Sequence, residues 1–392
     1  MVKSRKYDIV LFGATGFTGQ LTAEYLARNG GESLRWALAG RSPDKLKLVR
    51  ARLADLNPAC AGLDLLSADV DDAPSLKAVA ESARVVITTV GPYIVHGEPL
   101  VAACAAAGTD YVDLTGEPEF VDRMWLQYHD EARDSGARIV HCCGFDSVPH
   151  DLGCWFTVQQ LPEEVPLRVQ GFVRAGGQFS GGTLHSAVLA MSRLRQYGKT
   201  RRERRQREGW PVDRRVGALH HGLRYLREIG AWAVPLPTID PQIIRRSAAA
   251  IDRYGSDFRY GHYLQVKHLR SLVELLGGSA ALMLGAQFKP TRERLLRLRR
   301  PGEGPSEAQR AKGWFKILFV GEGGGQTVRC EVSGGDPGYG ETAKMLAESA
   351  LCLAFDKLPR TAGCVTPAQA MGNALIERLQ RRGIRFRVLE ST

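Results

Sequence analysis

The run GATGFTG, Gly13 to Gly19, sits directly after a short apolar stretch and opens a segment whose apolar residues recur at three- and four-residue spacing. Strand, glycine turn and helix in that register constrain the fold more than any other feature. Gly13 permits a tight turn, Gly16 lets the backbone approach a pyrophosphate, and Gly19 allows close helix-to-sheet packing. The N–H groups of Ala14, Thr15, Phe17 and Thr18 then face phosphate charge at a helix N-terminus. The reading is a dinucleotide-binding unit.

Which dinucleotide follows from the next strand end, LAGRS. Arg41 stands where an NAD-specific protein carries an acidic residue for the ribose diol, and a guanidinium suits a 2′-phosphate instead. NADP(H) is the expected cofactor, with NAD(H) less favoured. Asp69 and Val70 follow the third strand, where they meet the adenine. TTVGPY, Thr88 to Tyr93, ends the fourth strand, and Gly91 and Pro92 make a rigid close-approach turn there, with Tyr93 beside the nicotinamide ribose.

The first 150 residues or so keep a βαβ rhythm, with strands expected at Asp8 to Phe12, Trp36 to Ala39, Asp64 to Ser67, Val85 to Val90, Tyr111 to Leu114 and Arg138 to Cys142. The expected fold is α/β: a doubly wound, parallel Rossmann sheet over residues 1–153, then a second α/β domain with a largely antiparallel sheet over 154–335. That second domain is expected to hold the substrate and to pair two copies as a homodimer. Residues 336–392 read as C-terminal helices packing back on the first domain or the junction. Around LRVQGFVRAGG, WFKILFVGEG and QTVRCEVSGG lies a middle read as basic and helical.

Charge and cysteine usage limit the partners. The net charge of +11 is concentrated in two runs, Arg193 to Arg207 with eight Lys/Arg and one Glu, and Thr291 to Arg300. No zinc-finger spacing, basic heptad array or aromatic RNA-binding signature accompanies them, so nucleic acid is not expected. A solvated helical face is the plain reading; an acidic acyl-carrier protein or an anionic membrane surface is the functional one. Eight cysteines without a CxxC pair read as reduced thiols, and no metal is expected, since the adjacent Cys142 and Cys143 would point to opposite faces of a strand. The start of the chain runs straight into the first strand without a signal-peptide pattern, so a cytoplasmic protein is expected. The apolar stretch Leu269 to Phe288 carries Glu274 and a Gly pair and reads as a buried helix or an element lying peripherally at the inner face of the plasma membrane.

Beyond the glycine loop, the chain resembles the saccharopine dehydrogenase-like oxidoreductases, in their bacterial trans-acting enoyl reductase branch. The resemblance is carried by GATGFTG, LAGR, TTVGPY with GEPLVAACAAAGTDYVDLTGE, GFDSVPHDLG (Gly144 to Gly153), GGT (Gly181 to Thr183), GWFKILFVGEG and SGGDPGYGETAKMLAESALCLA (Ser333 to Ala354). It implies NADP(H) and reduction of a carbon–carbon double bond in a lipid-like or polyketide acyl intermediate. Two alternatives stay open: an imine or amine oxidoreductase like the name-giving branch, and a non-catalytic, membrane-associated NADP(H)-binding protein.

Enoyl reduction needs a donor for the oxygen that gains charge and a proton for the α-carbon. Tyr93 is the first candidate. His96, His150 and Asp146 are the others, because they follow the fourth and sixth strands at the ends where such a sheet binds ligands. Ser147, Thr183 and His185 are the expected substrate contacts; as a plainer account, Asp146 and Ser147 cap the helix beginning near Pro149.

Overall fold

The computed structural model describes residues 5–176, 192–287, 290–291, 293–294 and 304–391. Strands β1 (Tyr7–Phe12), β2 (Trp36–Gly40), β3 (Asp64–Ser67), β4 (Ala83–Thr88), β5 (Asp110–Val112) and β6 (Arg138–Val140) belong to a first sheet. A second sheet takes β7 (Leu167–Gly176), β8 (Arg215–Ala218), β9 (Arg224–Leu226), β10 (Ala231–Pro235), β11 (Asp257–Val266), β12 (Trp314–Gly323) and β13 (Gln326–Gly334). The last two strands divide between the sheets, β14 (Gly363–Val365) joining the first and β15 (Arg385–Ser391) the second.

The first sheet is all parallel, in the order β14-β6-β5-β4-β1-β2-β3. Its order reverses between β1 and β4, the place where a doubly wound sheet opens a ligand crevice beyond its strand C-termini. The second sheet runs β15-β13-β12-β7-β11-β10-β9, with β8 sharing an edge of β11. Among the described residues only the β7–β11 and β8–β11 pairs in it are parallel. The middle is thus not simply helical. Four strands lie there, and β11 reads poorly from sequence because Phe258, Tyr260, Tyr263 and Val266 are all buried while β11 carries polar residues between them.

Three of the expected strands stop early, at Thr88, Val112 and Val140. At each point side chains take the backbone out of the ladder. Val90 N–H donates to Thr88 Oγ1 (3.2 Å), Thr115 N–H to Asp113 Oδ1 (3.0 Å), and Cys142 N–H to the same Asp113 oxygen (3.0 Å). The loops released in this way form the C-terminal edge of the sheet.

The helix Val148–Val158 leaves that edge and passes into the second sheet. Nine of its residues are buried, His150 and Asp151 among them, as expected of a helix enclosed on all sides. Gly153 makes the approach possible, since a Cβ there would stand 2.4 Å from Phe319 Cε2 and 2.8 Å from Val332 Cγ2. Asp151 accepts from Ser247 Oγ (2.6 Å) and from Ala368 N–H (2.8 Å), joining three distant segments. The helix Gly340–Phe355, packed on the first sheet, is buried along most of its length. Its Glu348 receives Tyr25 Oη (2.7 Å), Arg378 Nη1 (3.0 Å) and Arg382 Nε (3.1 Å).

The basic helix Leu194–Arg207 is only partly a solvated face. Buried Arg204 donates to Asp122 (3.0 Å) and Glu208 (2.9 Å), Arg246 donates to the same Asp122 oxygen (2.9 Å), and Arg207 reaches Asp130 (2.8 Å). Just before the helix, Arg193 pairs with Glu119 (2.6 Å). Arg195, Lys199, Arg201, Arg202 and Arg205 remain exposed. The second basic run lies almost wholly outside the described residues. The helix Leu269–Gln287 exposes Leu269, Val273 and Leu284 but buries Leu272, and among the described residues no helix is long and apolar enough to cross a membrane.

Two outcomes follow. Gly153→Ala overpacks the helix against β12 and lowers stability by about 1–3 kcal/mol in denaturant titrations, whereas Gly62→Ala, with open space around it, leaves the midpoint close to wild type. Burial raises the Asp151 carboxyl to about 6 against the pull of Ser247 and Ala368. The folded state therefore holds a proton that the unfolded chain loses near pH 4, and stability falls as pH rises through that window. Between pH 4 and pH 7 wild type should lose on the order of 2–3 kcal/mol relative to Asp151→Asn; parallel stability–pH curves for the two proteins would contradict it.

Candidate functional site

The glycine loop is built as a phosphate cradle. Gly13 has φ 88°, and a Cβ on it would meet Val90 Cγ2 at 2.7 Å and Thr89 Oγ1 at 2.8 Å. Gly19 is tighter still, 2.1 Å from the Gly13 carbonyl oxygen. Gly16, the N-cap of the helix Phe17–Asn29, instead meets only that same oxygen among the described residues, at 3.5 Å, which leaves room on its outer side for an incoming group. Thr89 Oγ1 donates to Gly13 O (3.1 Å), tying the turn after β4 to the turn after β1. The loop N–H groups and the missing Cβ at Gly16 fit a pyrophosphate.

Arg41 follows β2, exposed, with no hydrogen bond or ion pair among the described residues. Ser42 beside it is occupied, its Oγ accepting Lys45 N–H at the N-cap of the helix Pro43–Leu56. Asp69 and Val70 lie half-buried after β3, where Asp69 Oδ1 accepts Asp71 N–H (3.2 Å). Phe17 packs edge-on against Tyr339 (4.8 Å), bringing the segment around Asp336 over the start of the helix. Asp336 holds that segment by accepting N–H from Tyr339 and Gly340, both at 3.1 Å.

After β4 the Gly91–Pro92–Tyr93 turn is fixed from below. Buried Glu117 accepts N–H from Tyr93 (3.1 Å) and Ile94 (2.8 Å). The Tyr93 ring is buried beneath Gly91, and its hydroxyl donates to the Thr88 carbonyl (3.1 Å). Its proton is committed to the sheet, and burial raises its pKa well above the usual value. His96, half-buried on the same turn, makes no ring hydrogen bond among the described residues.

The loop after β6 gathers the other candidates. Phe145 N–H donates to Thr342 Oγ1 (3.1 Å), which itself donates to Pro337 O (2.7 Å), so the GFDSVPHDLG and DPGYGET motifs meet here. Asp146 is partly open and faces Gly116, whose Cβ would lie 3.1 Å from Asp146 Oδ2. Burial and then the Asp240 charge push the Asp146 carboxyl up to about 7. Ser147 is the N-cap residue of the next helix but its side chain makes no cap bond, and its Oγ is buried without a hydrogen-bond partner among the described residues. The capping account of Asp146 and Ser147 is therefore corrected: neither side chain is used in that way.

His150 lies deeper, against Asp240 and against His262 of the second sheet, with its ring 5.1 Å from that of His262. Burial lowers its pKa to about 4 even though Asp240 opposes the shift. Burial works against the Asp240 charge too, but the two imidazoles and the Thr238 hydroxyl outweigh it and hold Asp240 below the usual carboxylate range. Thr183 and His185 lie outside the described residues.

Several polar residues here escape sequence reasoning. Asp113 receives Tyr111 Oη (3.0 Å), Thr115 N–H and Cys142 N–H, and lies 2.6 Å from His141 Nδ1, so one carboxylate pins the loops after β5 and β6. Acidic residues immediately past strand ends were the available signal. For Asp240 and His262, far along the chain from His150, there was none beyond a histidine within a largely buried strand. A separate cavity of about 320 Å³, lined by Lys6, Tyr7, Leu34, Arg35, Trp36 and Asp64 among others, opens at the N-terminal ends of β1 to β3. It is at the wrong end of the sheet for a dinucleotide.

Residues 9–140 match the family model for the saccharopine dehydrogenase NADP-binding domain. A Mycobacterium tuberculosis protein assigned as a trans-acting enoyl reductase is 41% identical over 410 residues, covering 97% of each chain. The trans-acting enoyl reductase of Mycobacterium bovis is 37% identical, again over 97% of each. Among solved structures, L-Glu-forming saccharopine dehydrogenase of Saccharomyces cerevisiae superimposes with a TM-score of 0.53 at 12% identity, covering 98% of this chain and 100% of that one, a likeness of fold. By sequence, fold and cofactor cradle together, the chain belongs to the trans-acting enoyl reductase family of saccharopine dehydrogenase-like proteins and is an NADP-dependent oxidoreductase.

Proposed function

We propose that this chain reduces the conjugated carbon–carbon double bond of an enoyl thioester, a lipid or polyketide intermediate presented on a carrier protein. The observation that carries the reading is the near-full-length identity to trans-acting enoyl reductases, at 41%. The term trans-acting supports a separately encoded partner that holds the acyl chain. NADPH, when bound, supplies the hydride that reaches the β-carbon.

The protein's own work is binding, orientation and a proton. Gly13, Ala14, Thr15, Gly16, Phe17, Thr18 and Gly19 hold the pyrophosphate, Arg41 meets the 2′-phosphate, and Asp69 and Val70 border the adenine. Gly91, Pro92 and the Tyr93 ring form the floor beside the nicotinamide, Tyr93 acting as a wall because its hydroxyl is engaged with Thr88. Asp146 is the group suited to give the α-carbon its proton. It is partly open, and its raised pKa keeps a substantial acid fraction near neutral pH. Ser147 lies beside it as a substrate contact. The exposed Arg195, Lys199, Arg202 and Arg205 offer positive charge to an acidic carrier, an attraction that salt would weaken.

The test is NADPH oxidation, followed by loss of nicotinamide absorbance, with α,β-unsaturated acyl thioesters of graded length, free and carrier-bound. Cofactor binding without turnover on any of them would sink the reading. Asp146→Asn should lower kcat by about 10²-fold or more while the Kd for NADPH stays near wild type; an unchanged kcat removes Asp146 from the mechanism. Arg41→Ala should weaken NADPH by roughly 10- to 100-fold, from the loss of charged hydrogen bonds, and leave NADH almost unaffected in calorimetric titrations. Equal loss for both coenzymes would show that Arg41 does not read the 2′-phosphate.

A further inference from the structure

Away from the dinucleotide cradle, three buried side chains from distant parts of the chain turn ligand atoms towards one another. They are His150 in the helix Val148–Val158, Asp240 at the start of the helix Asp240–Ala250, and His262 in β11. One ligand atom from each lies within 4.8 Å of the others. His150 Nε2 is 3.9 Å from Asp240 Oδ1, and His262 Nε2 is 3.4 Å from Asp240 Oδ2. Both are long for a hydrogen bond. The second falls within the roughly 3.3–3.6 Å that separates ligands held about 2.0–2.2 Å from a tetrahedral ion, and the first lies somewhat beyond it, so the His150 ring has to move inwards to ligate.

Two of these atoms, Asp240 Oδ1 and His262 Nε2, are buried with no hydrogen-bond partner among the described residues, and so is the other ring nitrogen of His150, Nδ1. Folded proteins rarely leave several such atoms side by side unless an ion or ordered water completes them. Two of the three side chains are already oriented by their surroundings. Tyr260 Oη is 3.0 Å from His262 Nδ1, and Thr238 Oγ1 donates to Asp240 Oδ2. With Nδ1–H given to Tyr260, the Nε2 lone pair of His262 faces the centre, the arrangement by which outer groups set a metal-binding imidazole.

We propose that His150, Asp240 and His262 form a binding site for a divalent zinc-class ion that joins the helix leaving the first sheet to the second sheet. Two imidazoles and a carboxylate suit Zn²⁺ or Co²⁺ better than a hard, all-oxygen cation. The ion offsets the buried Asp240 charge, which no Lys or Arg among the described residues pairs with. Three protein ligands leave a fourth position for water or a substrate oxygen. The expectation of no metal rests on the cysteines and does not reach these residues, because their spacing along the chain matches no ligand motif. The site does not rest on the enoyl-reductase reading, although an ion on Asp240 would withdraw the part of the Asp146 shift that comes from the Asp240 charge.

The experiment uses the tag-free, full-length protein purified without chelator. Mass-spectrometric metal analysis should find about one zinc per chain. After chelation and gel filtration, Co²⁺ titration should give the visible absorption of a low-symmetry nitrogen–oxygen site that saturates at one ion per chain. Tyr260→Phe should weaken Co²⁺ by about 10- to 100-fold, and His262→Gln should abolish saturable binding, with circular dichroism and NADPH affinity reporting the fold and the cradle. Trace metal only together with no cobalt band, or identical binding by wild type and Tyr260→Phe, would overturn the proposal and assign the cluster to ordered water. Should His262→Gln fail to fold, the wild-type spectrum and Tyr260→Phe still decide the matter.

Discussion

The structure depends on burying the helix Val148–Val158 between the second sheet and the helices Asp240–Ala250, Pro367–Ala370 and Gly372–Arg381. It starts where β6 ends and runs beneath β12 and β13, with Gly153 pressed against Phe319. Val148, Leu152, Cys154 and Val158 of this helix belong to the same apolar cluster as residues of both sheets. Such burial also imposes a condition. The helix carries Ser147, His150 and Asp151 into a medium where an unanswered polar group is costly. Asp151 is answered by Ser247 and by the backbone of Ala368. Ser147 Oγ is left without a hydrogen-bond partner among the described residues, and His150 turns to Asp240 and His262.

Charge follows a related rule. A chain with a net charge of +11 looks like a polyanion binder, yet its most basic helix is held by acidic residues of its own. Asp122 takes both Arg204 and Arg246, and Glu208 bridges the same two guanidiniums. A fully buried carboxylate between two guanidiniums is costly to break from either side, which fixes the position of the helix more than it adds net stability. The exposed remainder, Arg195 to Arg205 on the outer face, is the fraction available to a partner.

Buried acidic residues also set the loops that shape the site. Asp113 and Glu117 accept backbone N–H groups just past the strand ends, and each holds a turn that contributes to the crevice. Anchoring loops with charge-assisted hydrogen bonds makes them more rigid than loops held by apolar packing alone. The two family motifs meet in the same way, through the hydroxyl of Thr342 between Phe145 N–H and the Pro337 carbonyl.

The amino-acid sequence by itself determined the dinucleotide cradle, the parallel sheet and the family, because these rest on local rules: glycine positions in one turn, apolar periodicity, and motifs read over a few residues. It also placed Asp146, Ser147 and His150 after the sixth strand. Only the tertiary structure decided that the Tyr93 hydroxyl turns back to Thr88, and that the last thirty residues or so give one strand to each sheet. It alone brought Asp240 and His262 to His150. The reason is physical: a side chain's partners across a folded core depend on strand order and helix packing, and neither is encoded in spacing along the chain.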